Sequence, residues 1–213
     1  MKVTLVYDNT ASKAGLLPDH GFSCFLEIEN TPKILFDTGA KGETLLHNMR
    51  HLGVDPAAVD IIVVSHAHWD HTGGLNALLQ VNQTAALYLP SSFQPFLPDR
   101  NVVEVTAPIQ IAANVFSTGE LKEVEQSIAI KTPTGLVVIS GCAHPGVGPI
   151  LEAASSYGKV SALIGGLHGF REYDLLNGLD LVCACHCTAN KAQIEAHHPD
   201  KWVEGGVGTI IEI

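Results

Sequence analysis

The chain has 213 residues, 12 Lys+Arg against 22 Asp+Glu, a formal charge of −10, 11 histidines and 5 cysteines. At 46% hydrophobic and 16% charged, it has the composition of a core-rich globular protein, which excludes a disordered or fibrous chain. The acidic balance, with no Lys/Arg cluster, speaks against nucleic acid and against an anionic membrane as partners.

A single domain spanning 1–213 is expected, since roughly 70% of the unfolded surface of a chain this long can be buried without staples. The first apolar run stops at Asp8, too soon for a signal peptide, and no later run reaches membrane-span length. An odd cysteine count without a disulfide framework fits a reducing compartment. The expected setting is therefore soluble and cytoplasmic, and the partner a small-molecule substrate.

In chain order, Lys2–Tyr7, Phe22–Ile28 and Lys33–Phe36 read as strands, the last ending in Asp37-Thr38-Gly39. Glu43 to Leu52 has helical spacing, with Leu45, Leu46, Met49 and Leu52 on one face and Gly53 as a stop. Asp60 to Val64 is an apolar strand, followed by a short helix from Gly74 to Leu79 and a strand near Ala85–Leu89. The proline-rich stretch Ser91–Asp99 reads as irregular, and prolines between Pro90 and Pro108 are candidates for a pocket wall. Several strands run to about Ile130, then Leu136–Ser140 is a strand, Pro149–Tyr157 a helix, and Val160–Ile164 and Leu181–Cys185 strands. Thr188–His197 reads as a helix and Gly208–Ile213 as a final strand. Alternating strands and helices without a long linker give an α/β layered protein with mixed sheets.

The chemistry concentrates at strand ends. His66-x-His68-x-Asp70-His71 follows the strand ending at Val64, four ligand-type residues within six positions. Side chains at i and i+2 of an extended end point the same way, so His66 and His68 can share an ion, while Asp70 and His71 reach a second after the chain turns. Gly73 and Gly74 then let the backbone pass close by. His144, in Gly141-Cys142-Ala143-His144-Pro145-Gly146, and His186, in Cys185-His186-Cys187-Thr188, also follow buried strands, where open α/β sheets place their sites. Cys183, Cys185 and Cys187 alternate with His186, so in an extended segment they face away from it and serve as small buried hydrophobes. His47, His51, His197 and His198 are expected to face solvent.

These residues resemble the five motifs of the metallo-β-lactamase superfamily. Asp37 matches the first motif, His66 to His71 the second, His144 the third and His186 the fifth. The resemblance implies a four-layer αββα sandwich of two mixed β-sheets, with two divalent metal ions, zinc first and iron or manganese as alternatives. It implies that His66, His68 and His144 hold one ion, and Asp70, His71 and His186 the other. The chain departs at the fourth motif: many members carry a bridging aspartate where this one reads Gly165-Gly166-Leu167-His168. Either His168 substitutes as a ligand or substrate contact, or the bridge is water alone.

A narrower resemblance, to dihydropterin-methyl ribofuranosylaminobenzene phosphate synthase-like proteins, rests on His20-Gly21-Phe22-Ser23, Glu125-Gln126-Ser127, Gly141-Cys142-Ala143-His144 and His186-Cys187-Thr188. Ala189 stands where that subgroup usually has Gly, and the span from His71 to His144 is short beside the synthases.

The expected activity is that of a metal-dependent hydrolase, in which a metal-bound hydroxide attacks a small ester, lactone, thioester or phosphoester. Asp70 is the expected catalytic residue, orienting that hydroxide. Asp37 is expected to hydrogen-bond a ligand histidine, and His20 to reach the substrate if its loop folds over the metals. Three other readings stand beside it. A pterin-pathway carbon–nitrogen bond-forming synthase has the same fold, and an inactive metal-binding module would keep the ligands without the chemistry. The di-iron redox branch typically has Glu where this chain has His68.

Overall fold

A computed structural model describes all residues 1–213. The first half builds β1 (Lys2–Tyr7), β2 (Ser23–Glu27), β3 (Ile34–Phe36), α1 (Gly42–His51), β4 (Ile61–Val63), α2 (Trp69–Thr72), α3 (Leu75–Val81), β5 (Ala86–Pro90) and β6 (Val102–Val105). The second builds β7 (Ile109–Ala112), β8 (Val115–Ser117), β9 (Ile128–Thr132), β10 (Gly135–Ser140), α4 (Val147–Ser155), β11 (Val160–Gly166), β12 (Leu181–Cys185), α5 (Lys191–His197) and β13 (Ile210–Glu212).

Two mixed sheets result, in the orders β13-β1-β2-β3-β4-β5-β6 and β12-β11-β10-β9-β8-β7. Strands β3 to β6 run parallel, as do β10, β11 and β12, and the remaining pairs are antiparallel. The apolar strands pack on both faces. Leu5, Phe36, Val63, Ile139, Ile164 and Cys183 belong to one core between the sheets. Leu45, Met49 and Leu78 seal the outer face of the first sheet, and Ile150, Leu176 and Ile194 that of the second. Helix–sheet–sheet–helix is the expected αββα sandwich.

Several boundaries differ from the sequence reading for local reasons. Helix α4 starts at Val147, two residues early, because Pro149 fits a first helical turn whose N–H needs no partner. Helix α5 starts at Lys191 rather than Thr188. The Thr188 hydroxyl donates to Cys185 O (2.8 Å) and accepts from Leu167 N (2.9 Å), so residues 188–190 tie β12 to β11 instead of joining the helix. His198 is buried, with Nε2 2.9 Å from Tyr173 O, and His47 is half-buried against Gly15 O; only His51 and His197 of that group are exposed.

The consequence for function lies at one edge. Strands β1, β3 and β4 of the first sheet and β10, β11 and β12 of the second deliver their carboxyl ends there. Gln126, just before β9, fastens the two sheets at that edge, donating to Val64 O (2.8 Å) and Tyr88 O (3.2 Å) and accepting from Ser117 (2.7 Å). No helix is long and apolar enough to cross a membrane.

Candidate metal centre

Each strand end turns sharply. Asp37, Ala143, His168 and His186 all adopt left-handed φ values, between 47° and 59°, a strained choice for residues with a Cβ. The close approach of β4's extension to β3 requires small residues as well. A Cβ on Gly73 would collide with Ala40 O, and one on Gly74 with Thr38 O. Helix α2 is thereby pinned, with Thr38 N and Oγ1 both donating to His71 O.

His66, His68 and His144 converge. His66 Nε2 lies 3.0 Å from His68 Nδ1 and 3.2 Å from His144 Nε2. The tautomer of His66 follows from its neighbours. Ser65 donates its N–H (2.6 Å) and O–H (2.7 Å) to the Asp37 carboxylate, so Ser65 Oγ is left to accept from His66 Nδ1–H at 2.8 Å. The bare Nε2 lone pair therefore points at two other ring nitrogens. Such a cluster suits a cation: three nitrogens on a tetrahedral zinc stand roughly 3.3 Å apart for bonds of about 2.0–2.1 Å.

A second group gathers around Asp70 Oδ2, with His20 Nε2 at 3.2 Å, His186 Nε2 at 3.3 Å and His71 Nε2 at 3.7 Å. His71 donates Nδ1–H to Asp37 Oδ2 at 2.7 Å, which again leaves Nε2 bare. Asn9 orients His186. Its Nδ2 donates to His186 O (3.2 Å), and its Oδ1 accepts from Gly21 N (3.2 Å) and from His186 Nδ1–H (2.9 Å). The amide cannot be reversed without losing these bonds, so Nε2 of His186 carries no proton. That nitrogen is fully buried and has no hydrogen-bond partner. An orphaned lone pair 3.3 Å from a carboxylate oxygen is costly unless a cation sits between them. The residues present therefore fit divalent metal ions. His20 is different: its Nδ1 is placed to accept from Asn9 at 3.5 Å, so Nε2–H donates to Asp70 rather than ligating.

Electrostatics agree with this protonation pattern at the histidines, while Asp37 runs against it. Burial, then the neighbouring His71, His144 and His68, hold the His66 imidazole far below its usual range. Burial acts likewise on His71, and burial with His68 and His168 lowers His144 to about 4. All three are neutral at physiological pH, as ligation requires. Burial pushes Asp70 up, but positive charge at the His186 and His71 positions beside it outweighs that and holds the carboxyl below its usual range, a role that a cation between these groups would fill. Burial lifts Asp37 to about 8 against the pull of the Ser65 donors.

His144 is held by a residue that sequence reading noted only as part of a motif. The buried Glu125 carboxylate accepts from Ser140 Oγ (3.2 Å) and from the backbone N–H groups of Gly141, Cys142, Ala143 (3.0–3.1 Å) and His144 (2.9 Å). Asp8, also buried, accepts from His186 N at 2.8 Å. A buried acid just after or before a strand at the site edge was the available signal for both.

His168 is exposed and stacks edge-on against His144, with centroids 4.5 Å apart, but joins no group of convergent ligand atoms. The alternation argument for cysteine fails at its last member. The left-handed turn at His186 breaks the strand, and Cys187 lies with Cys142 and His186 in one group of ligand atoms within 4.8 Å of one another. Cys183 and Cys185 are core residues as expected. A cavity of about 360 Å³ opens beside His144, walled by Leu167, His168, Phe170 and Arg171, with nothing contributed from Pro90–Pro108.

Comparison with known proteins shows the family and the fold. The sequence profile of the Metallo-beta-lactamase superfamily matches residues 17–149. A Methanocaldococcus jannaschii protein, 7,8-dihydropterin-6-methyl-4-(beta-D-ribofuranosyl)-aminobenzene-5'-phosphate synthase, is 26% identical over 89% of this chain and 88% of its own. The crystal structure of Tm1679, a metal-dependent hydrolase of the beta-lactamase superfamily, is 22% identical and aligns with a TM-score of 0.76 over 100% of this chain and 99% of that one. YhfI from Bacillus subtilis, a metallo-beta-lactamase fold protein, aligns at 0.73 with 13% identity over 100% and 99%. With the profile running from before Asp37 to past His144, and the sandwich shared end to end, the chain belongs to the metallo-beta-lactamase superfamily.

Proposed function

We propose that this protein is a metal-dependent hydrolase of a small ester, lactone, thioester or phosphoester, working at a two-metal centre. The observation that carries the proposal is the set of bare nitrogen lone pairs, His66 Nε2 against His68 and His144, and the orphaned His186 Nε2 facing Asp70. His66, His68 and His144 would hold one ion, and Asp70, His71 and His186 the other, with zinc first among the metals given the imidazole-rich donor set. When bound, the ions supply Lewis acidity and a water acidic enough to ionise near neutral pH.

The chain's own residues divide the remaining tasks. Asp70, ionised and shared among His20, His71 and His186, orients the attacking group. Asp37 fixes the ring of His71 directly and that of His66 through Ser65. Substrate enters beside His144, through the 360 Å³ cavity lined by His168 and Arg171, while His20 and the exposed Trp69, 5.6 Å apart, stand beside Asp70. His168 faces that cavity as a substrate contact.

One observation favours a second reading, a pterin-pathway carbon–nitrogen bond-forming synthase: the similarity to the M. jannaschii synthase across nearly nine-tenths of the chain. The test is turnover by zinc-loaded protein of chromogenic phosphodiesters, lactones and thioesters, alongside a dihydropterin with an aminobenzene ribofuranosyl phosphate. Hydrolysis that falls by about 100-fold or more in Asp70→Asn supports the hydrolase. Condensation of the pterin without ester cleavage supports the synthase.

A further inference from the structure

The end of β11 offers no carboxylate to the centre, and no side chain could be grafted there. A Cβ on Gly166 would clash with Gly141 O and stand 2.7 Å from Cys187 Sγ. A sulfur atom thus already occupies the room through which a residue of this strand would reach the metals. Cys187 arrives there because the left-handed turn at His186 rotates the chain out of the strand register. Cys142 comes from the other side, on the loop held by Glu125, with Sγ 3.2 Å from His71 Nε2.

The two thiols differ from Cys24, Cys183 and Cys185, which lie in the core between the sheets. Cys142 belongs to two sets of mutually close ligand atoms, one with His66 and His71, the other with His186 and Cys187. It therefore stands between the two halves of the centre, the position a bridging ligand needs. His186 Nε2, buried and unpartnered, faces the second set.

Resting on the two-metal reading, we propose that Cys142 and Cys187 are thiolate ligands which, with His186, complete the second metal site in place of a bridging carboxylate. Cys142 reaches toward both ions and Cys187 toward one. Filling the centre is an exchange: two S–H bonds break, three sulfur–metal bonds form, two from Cys142 and one from Cys187, and two protons in all leave to solvent. Sulfur donors make this position soft, so it selects zinc or cobalt over manganese and magnesium.

The experiment is cobalt(II) titration of the metal-free protein, read by absorption and by metal content, for wild type, Cys187→Ser and Cys142→Ser. Wild type should bind two equivalents and develop sulfur-to-cobalt charge-transfer absorption in the near ultraviolet. That absorption should fall in Cys187→Ser, with the second equivalent weakened by about 10-fold or more. In Cys142→Ser both sites should weaken. Zinc loading should also shield two thiols from alkylation. Should Cys142→Ser fail to fold, Cys187→Ser, at a partly exposed position, still decides. Two cobalt ions bound without a sulfur band, and with unchanged affinity in both variants, would overturn the thiolate assignment and leave the two-metal centre standing. Binding of one ion or none, again without the band, would overturn both.

Discussion

Glu125→Gln isolates the contribution of the buried acid to the His144 arm. A glutamine has the same shape but one acceptor oxygen. Placed where Oε1 stands, that oxygen keeps Ser140 and the N–H groups of Gly141, Cys142 and Ala143, and turns the amide NH₂ against His144 N–H. The reverse orientation keeps His144 and confronts four donors, so the first is adopted. One buried N–H is then orphaned, at a cost of about 1–3 kcal/mol, and the retained bonds lose their charge assistance. The neutral side chain is cheaper to bury, since burial already pushes the Glu125 carboxyl up. The net expectation is a loss of about 2–4 kcal/mol, or roughly 4–16 °C in Tm for a chain of this size. Zinc affinity at the His66–His68–His144 site should fall about 10–100-fold, as when a ligand's supporting hydrogen bonds are removed. Calorimetry of metal-free protein and competition with a zinc-binding dye measure the two effects. A loss below about 0.5 kcal/mol, with affinity within twofold of wild type, would refute the assignment of Glu125 as the anchor of His144.

Other perturbations follow the same logic. Asn9→Ala frees the His186 ring to change tautomer, so the second equivalent of metal should weaken about 10-fold or more. Calorimetric titration should find the first equivalent unchanged. Asp37→Ala removes the acceptor shared by His71 and Ser65 inside a fully buried pocket. With three buried donors left without an acceptor, it should destabilise the protein by about 3–5 kcal/mol and lower the affinity of both sites, read by denaturant unfolding and metal competition. Trp69→Ala, at an exposed position, should leave stability within about 0.5 kcal/mol and raise KM more than it lowers kcat. Zinc at about 100 times its Kd should add about 2.7 kcal/mol to stability, and chelation should remove it in a reversible thermal shift.

Much of this was legible in the chain. The apolar runs ending at Val64, Ser140 and Cys185 predicted buried strands, and a buried strand can only end at the sheet edge. The histidines that follow them were therefore expected together. Asp37 was legible as a partner of a ligand histidine only through the family's motif, since a turn aspartate after a strand looks the same locally. The rest was hidden because it depends on backbone turns and on residues far away in sequence. Period-two alternation put Cys187 on the wrong side of His186, and one left-handed residue reversed it. Asn9 meets His186 across 177 positions and Glu125 meets His144 across 19, distances at which no local pattern speaks. His198 looked like solvent-facing helix polarity, yet a carbonyl at Tyr173 buries it.

The central claim is a centre built for two metal ions, and its most direct test is metal content per folded chain, by plasma mass spectrometry, on protein purified without chelator. Two equivalents are expected, falling to one in Asn9→Ala dialysed against weak chelator, and to none in His66→Ala with Asp70→Ala. A folded wild-type chain that holds no metal, even after reconstitution with zinc, would contradict it.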